Sequence, residues 1–168
     1  MTTRILVAYA TRYGSTKEVA EKIAATLREA GLAVDLQPAR EVRDLTPYSG
    51  VVVGAPLIIG KWHKDARQFL SRQQKVLETL RMAVFALGPT HDPRDEEEWA
   101  NAQKQVDQTL AAYPWLKLTS IALFGGKYDM ALLRWPLNKL DGSVPSSDIR
   151  DWDEIGAWAE ALVERLTG

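Results

Sequence analysis

The 168-residue sequence contains no cysteine. That removes disulfides, thiolate metal ligands, iron–sulfur clusters and thiol nucleophiles, and it fits a reducing compartment, so a cytoplasmic protein is expected. No apolar stretch approaches the roughly 18 residues that a membrane-spanning helix requires, and no transmembrane segment is predicted. The opening residues, Met1-Thr2-Thr3-Arg4 followed by Ile5-Leu6-Val7-Ala8, lack the basic region and small-residue cleavage site of a secretory leader; they read as the approach to a buried strand. An excess of either charge is missing too. The 21 Lys and Arg against 22 Asp and Glu leave a formal net charge of -1, without the basic excess or stripe that nucleic acid demands. Repeats and Gly/Ser- or Pro-rich linkers are also absent, so residues 1–168 are expected to fold as one domain.

What the chain does have is 46% apolar residues, enough to build a core at this length without staples. Short apolar, β-branched runs at Ile5 to Tyr9, Ala33 to Leu36, Val51 to Val53, Met82 to Leu87 and Leu118 to Phe124 predict five strands. Amphipathic segments alternate with them. Val19, Ala20, Ile23, Ala24 and Leu27 share one helical face that closes at Gly31. His63 to Leu77 aligns Ala66, Phe69, Leu70, Gln73 and Leu77, and Asp95 to Ala112 aligns Trp99, Val106 and Leu110. A last helix from Asp151 or Asp153 carries Ile155, Trp158, Ala159, Leu162 and Leu166. This alternation predicts an α/β fold: three layers, doubly wound about a five-stranded parallel sheet.

Ligands of such sheets bind beyond the carboxyl ends of the strands, where strand order reverses. The loops after strands one, three and four therefore hold the candidate chemistry. The first runs Thr11-Arg12-Tyr13-Gly14-Ser15-Thr16 from a buried strand into a helix, whose free N–H groups attract an anion such as phosphate. Three hydroxyls and a glycine exceed what a helix start needs, although Ser15-x-x-Glu18 also matches a ligand-free capping box. Neither a G-x-G-x-x-G nor a G-x-x-x-x-G-K-[ST] motif is present. The strand ends Tyr9-Ala10 and Gly54-Ala55 lack the acids of a magnesium-binding receiver.

This first loop resembles the T/S-x-T/Y-G-x-T phosphate loop of the flavodoxin family, nearest the menaquinone-dependent protoporphyrinogen dehydrogenase-like branch, and the likeness covers essentially the whole chain. The resemblance implies a flavodoxin-like fold and FMN as cofactor, its phosphate held by Thr11, Arg12, Tyr13, Gly14, Ser15 and Thr16. The second loop, Pro56-Leu57-Ile58-Ile59-Gly60-Lys61-Trp62, is apolar and suits a flat heteroaromatic ring. Gly60, Trp62 and His63 match the glycine, aromatic and histidine of the quinone-dependent relatives, while Ile59 stands where those relatives carry an aromatic. By resemblance Gly60 is the position of a peptide flip toward the flavin, and Trp62 is assigned to stack on the ring; the alternative for Trp62 is a hydrophobic anchor for the next helix. The third loop, Gly88-Pro89-Thr90-His91-Asp92, is expected to close the ring's far side, with a plain surface turn as the alternative for His91.

The expected function is FMN-dependent electron transfer to a partner protein or quinone, by a monomer or a homodimer without a metal site. Flavin chemistry belongs to the cofactor, so no catalytic acid or base is assigned. Two alternatives stand beside it: protoporphyrinogen IX dehydrogenation with a quinone acceptor, and a flavin-free interaction domain on the same fold. The apolar stretch Gly125 to Asp151, too long for an ordinary connection, is expected to dock the redox partner, or else to pad the sheet edge.

Overall fold

The computed structural model describes residues 3–129 and 146–168. Five strands, β1 (Arg4–Tyr9), β2 (Ala33–Pro38), β3 (Gly50–Ile58), β5 (Arg81–Leu87) and β6 (Leu118–Phe124), form a parallel sheet in the order β2-β1-β3-β5-β6. These are the five apolar runs of the sequence, continuous because a parallel sheet is covered on both faces. Side chains alternate between the two cores. Ile5, Val7, Val52 and Phe85 point to one, and Leu6, Ala8, Val51, Val53 and Val84 to the other.

Helices α1 (Ser15–Glu29) and α5 (Trp152–Thr167) cover the first face, burying Val19, Ile23 and Leu27 against Ile155, Leu162 and Leu166. Helices α2 (Lys64–Arg72), α3 (Gln74–Leu77) and α4 (Glu96–Ala111) cover the second. The single helix expected over His63 to Leu77 breaks at Gln73, which leaves helical geometry at φ −103°, ψ 15° while its N–H still bonds the Phe69 carbonyl. Asp95 and Asp151 cap α4 and α5, each accepting a backbone N–H at 3.0 Å, a contact typically worth about 1 kcal/mol. Among the described residues no helix is long and apolar enough to cross a membrane.

Strand β3 departs most from expectation. It continues through Ile58, turns at Ile59 and Gly60, and returns as β4 (Lys61–Trp62), which pairs antiparallel with it through Leu57↔Trp62 and Ile58↔Lys61. The segment expected as an open loop is therefore a hairpin projecting from the carboxyl edge of the sheet. The chain leaves β1 toward β2 on one side and returns to β3 on the other, so strand order reverses at that edge.

Candidate functional site

At the reversal point lies a cleft of about 280 Å³. The first loop contributes Arg12, Tyr13 and Ser15, the hairpin contributes Pro56, Leu57, Ile58 and Ile59, and the end of β5 contributes Leu87, Gly88 and Thr90. All three expected loops meet here. A fourth wall, Gly126 and Lys127, follows β6. A glycine pair at a strand's carboxyl end was the available sequence signal for that wall.

The first loop does not supply a side-chain cap to its own helix. Gly14 stands at the N-cap of α1 with φ +94°, a conformation that side chains disfavour, and no side chain caps the helix. The capping box is not formed: Glu18 pairs with Arg150 at 3.4 Å instead of reaching back along the loop. Thr11 accepts the Gly14 N–H at 2.8 Å and so braces the turn. Thr16 is fully buried, and among the described residues its hydroxyl has no hydrogen-bond partner; the shielded Tyr13 hydroxyl has none among them either. An unsatisfied buried hydroxyl costs about 1–3 kcal/mol. Thr16 is the second residue of α1, at a helix start whose free N–H groups suit an anion, while Tyr13 and Ser15 line the cleft and Thr16 does not. The Arg12 guanidinium lies 5.2 Å from the Tyr13 ring centre, adding positive charge at the rim.

The hairpin supplies the apolar wall. Its two turn residues both have positive φ, +48° at Ile59 and +77° at Gly60, the pattern of a type I′ turn. Ile59 is 95% exposed and Gly60 has nothing near its Cβ position. Trp62 is placed otherwise than as a ring-facing residue. It is 3% exposed, its indole N–H donates to the Ala55 carbonyl at 3.0 Å, and it packs with Phe69 and Leu70 in the core. This is the anchoring arrangement, held because a buried indole N–H needs an acceptor and the β3 backbone provides one. His63 caps α2, its Nδ1 accepting the Asp65 N–H at 3.0 Å. Burial pushes its pKa below the usual histidine range; the Lys64, Arg12 and Arg67 charges act the same way and Asp65 opposes them.

In the third loop Gly88 and Thr90 reach the cleft, whereas Pro89 lines a neighbouring depression beside α4. His91 is exposed, its Nδ1 2.9 Å from the Thr90 hydroxyl and its ring 5.1 Å from that of Tyr128. Asp92 turns away toward α4, accepting from the Arg94 N–H and, through its carbonyl, from the Trp99 indole. Lys61 and Gly60 also lie outside this cleft, on the far side of the hairpin.

The segment Gly125 to Asp151 is described only at its ends; residues 130–145, with most of the apolar side chains assigned to partner docking, lie outside the described residues. The ends pair as a short antiparallel ribbon, β7 (Lys127–Tyr128) with β8 (Ser147–Asp148). The Gly126 N–H donates to the Pro89 carbonyl at 2.7 Å and the Ser147 hydroxyl donates to the Thr90 carbonyl. Beyond the ribbon Arg150, its side chain 3% exposed, reaches the Ser15 carbonyl, Glu18 and Asp148.

A five-stranded parallel sheet in this order, with helices on both faces and its loops gathered at the reversal point, defines the class of doubly wound α/β proteins. Residues 6–138 match the flavodoxin domain family, and the chain belongs to it. It is similar to protoporphyrinogen IX dehydrogenase [quinone] of Escherichia coli, at 26% identity over 86 residues; these are 50% of this chain and 48% of that protein. The chain thus spans about half the length of the curated relatives it matches. Among solved structures, a short-chain flavodoxin associated with a bacterial microcompartment superposes with TM-score 0.65 at 17% identity, covering 99% of this chain and 100% of that one. Oxidised flavodoxin 1 from Bacillus cereus does so with TM-score 0.61 at 16% identity, covering 98% and 100%. These likenesses establish the fold.

Proposed function

We propose that the chain binds FMN in this cleft and passes electrons to a partner protein or quinone in the cytoplasm. The observation that carries this reading is the fully buried Thr16 hydroxyl at the start of α1, which has no partner among the described residues and which a flavin phosphate would satisfy. Bound FMN supplies the redox chemistry, accepting and releasing electrons one or two at a time. The residues do the rest. Thr16, Tyr13 and the first N–H groups of α1 hold the phosphate, with Thr11 bracing their loop. Pro56, Leu57, Ile58 and Ile59 on one side, and Leu87, Gly88 and Thr90 on the other, bound an apolar slot for the ring. Gly60, unhindered and already at positive φ, lets the Ile59–Gly60 peptide rotate to meet a change at the ring edge.

The test compares FMN with riboflavin by titration of the purified chain. FMN is expected to bind at least about a hundredfold more tightly, since riboflavin leaves the phosphate donors unsatisfied. Thr16→Val should narrow that ratio about tenfold. Equal affinities for the two flavins would remove the assignment, and a colourless protein that takes up neither would support a flavin-free interaction domain.

A second reading, protoporphyrinogen IX dehydrogenation, is favoured by the likeness to the Escherichia coli enzyme. Anaerobic oxidation of protoporphyrinogen by the FMN-loaded chain with a soluble menaquinone analogue tests it.

A further inference from the structure

The surface around the hairpin is electrically lopsided. On the β4–α2 side a groove of about 520 Å³ is lined by Arg12, Lys61, Lys64 and Arg67, with Ile58 and Ile59 in its wall. It runs on into a second hollow of about 540 Å³ that shares Lys64 and Arg67 and adds Arg72. From residue 61 to 72 the only acid is Asp65. None of these five cations forms an ion pair among the described residues. Across the hairpin the charge reverses at the start of α4, where Asp95, Glu96, Glu97 and Glu98 follow Asp92 and a single cation, Arg94.

Two features of the cationic side oppose the protein's own stability. Lys64 is the first residue of α2, where a positive charge faces the positive end of the helix dipole. Ile59 is a β-branched residue held at φ +48° and left 95% exposed. Ile59 thus stands exposed beside five cations that no carboxylate pairs among the described residues, of which Arg67 and Arg72 also donate to the Trp62 and Ala39 carbonyls at 2.9 and 3.0 Å.

We propose that this face docks the acidic surface of a redox partner protein, with Ile59 at the centre of the contact and Arg12, Lys61, Lys64, Arg67 and Arg72 as its charged rim. The proposal rests on the electron-transfer reading above and names its partner's chemistry. Charge complementarity selects an acidic occupant over a basic one. The groove and the hollow follow α2 from Lys64 to Arg72, and Ile59, 95% exposed at the hairpin turn, is covered by a broad partner surface rather than by a ligand sunk in the groove, which favours a protein. Arg12, Ile58 and Ile59 line both the flavin cleft and the groove, so a protein seated there abuts the wall of the redox site.

The experiment uses two small haem proteins of opposite surface charge, acidic cytochrome b5 and basic cytochrome c, titrated into the ¹⁵N-labelled chain with and without FMN. Cytochrome b5 is expected to shift amides of residues 59–72. That binding should be lost when ionic strength rises from about 20 to about 200 mM, which shortens the Debye length from roughly 20 to 7 Å. Lys64→Glu should weaken it about tenfold while raising the thermal midpoint, because the acid suits the helix start. Glu97→Lys, on the opposite flank, should leave it unchanged. Preferred binding of cytochrome c, shifts confined to α4, or salt-insensitive binding would each overturn the proposal. FMN affinity is read separately by flavin absorbance, so failure to bind flavin is distinguishable from failure to dock.

Discussion

The Arg150 guanidinium donates to the Ser15 carbonyl at 3.1 Å, joining residues 135 apart in sequence. Its other contacts explain why a cation can be buried there. Asp148 accepts at 2.9 and 2.8 Å, Glu18 at 3.4 Å, and the Trp152 ring lies 4.8 Å away. The hydrogen bonds from Arg150 hold the Asp148 carboxyl below the usual carboxylate range, outweighing the opposing effect of burial. Arg150 thereby pins the first turn of α1, which carries the proposed phosphate donors, and occupies Glu18, whose carboxylate would otherwise repel a phosphate.

Arg150→Met is therefore expected to lower unfolding free energy by about 1–3 kcal/mol, the scale of hydrogen bonds to a charged group. FMN affinity should fall further than riboflavin affinity, because the disturbed turn is the one proposed to bind phosphate. Arg150→Lys, which keeps the charge without the fork, should recover only part of the loss. Denaturation together with paired flavin titrations checks this, and equal losses for both flavins would assign Arg150 to stability alone.

A second prediction concerns the sheet. A Cβ on Gly54 would lie 1.8 Å from Cζ of Phe85, whose ring is buried with Phe124 and Trp158 at centroid separations of 6.0 Å each. Backbone and ring cannot both stay in place. Gly54→Ala should destabilise the fold by about 1–3 kcal/mol as an overpacking substitution. The double variant Gly54→Ala, Phe85→Leu, which removes the colliding ring, should lose less than the sum of its single changes in denaturant titrations.

Tyr48 carries the third. Its hydroxyl donates to Asp35 at 2.8 Å, and Asp35 also accepts from Arg4 at 3.1 Å. Burial first, and then the neighbouring carboxylate, push the Tyr48 pKa up to about 12. Unfolded tyrosine ionises near 10, so the unfolded chain loses this proton first as pH rises. Its contribution is complete below about pH 10 and disappears as pH climbs through about 12. Asp35 behaves oppositely: its pKa is lowered, chiefly by the Tyr48 hydrogen bond, so its contribution is lost on acidification below the unfolded carboxylate value of about 3.9. Tyr48→Phe should flatten both limbs of the stability profile relative to the parent chain.

Much of the architecture was legible because buried parallel strands are written as uninterrupted apolar runs, and all five occur where such runs lie. The β3–β4 hairpin was not. Its turn needs two residues at positive φ, and the sequence offers Ile59-Gly60 where Asn-Gly would have announced it. The first loop stood out as a candidate phosphate site because hydroxyls and a glycine between a strand and a helix are a local pattern. Trp62 could not be assigned locally, since an aromatic at the end of a loop looks the same whether it faces a cleft or a core; the Ala55 carbonyl decides it. Arg150 was invisible for a related reason: its partners Ser15 and Glu18 stand at the other end of the chain.

The last prediction returns to that turn. Ile59 at φ +48° is a β-branched side chain in left-handed geometry, which costs on the order of 1–2 kcal/mol. With 95% exposure it recovers almost nothing by burial, so folding alone gives no reason for isoleucine here. Ile59→Asn, which tolerates this conformation, should raise unfolding free energy by about 1 kcal/mol. Gly60→Ala, forced to φ +77°, should lower it by a similar amount. The redox consequences should run separately from these. If the Ile59–Gly60 peptide turns toward bound flavin, Gly60→Ala will change the separation between the two one-electron reduction potentials while leaving FMN affinity nearly unaltered. Ile59→Asn should leave that separation closer to the parent value. Potentiometric titration of both variants, set beside their denaturation curves, checks the pair. A Gly60→Ala protein that loses stability while its potentials stay fixed would make the glycine a turn former and nothing more.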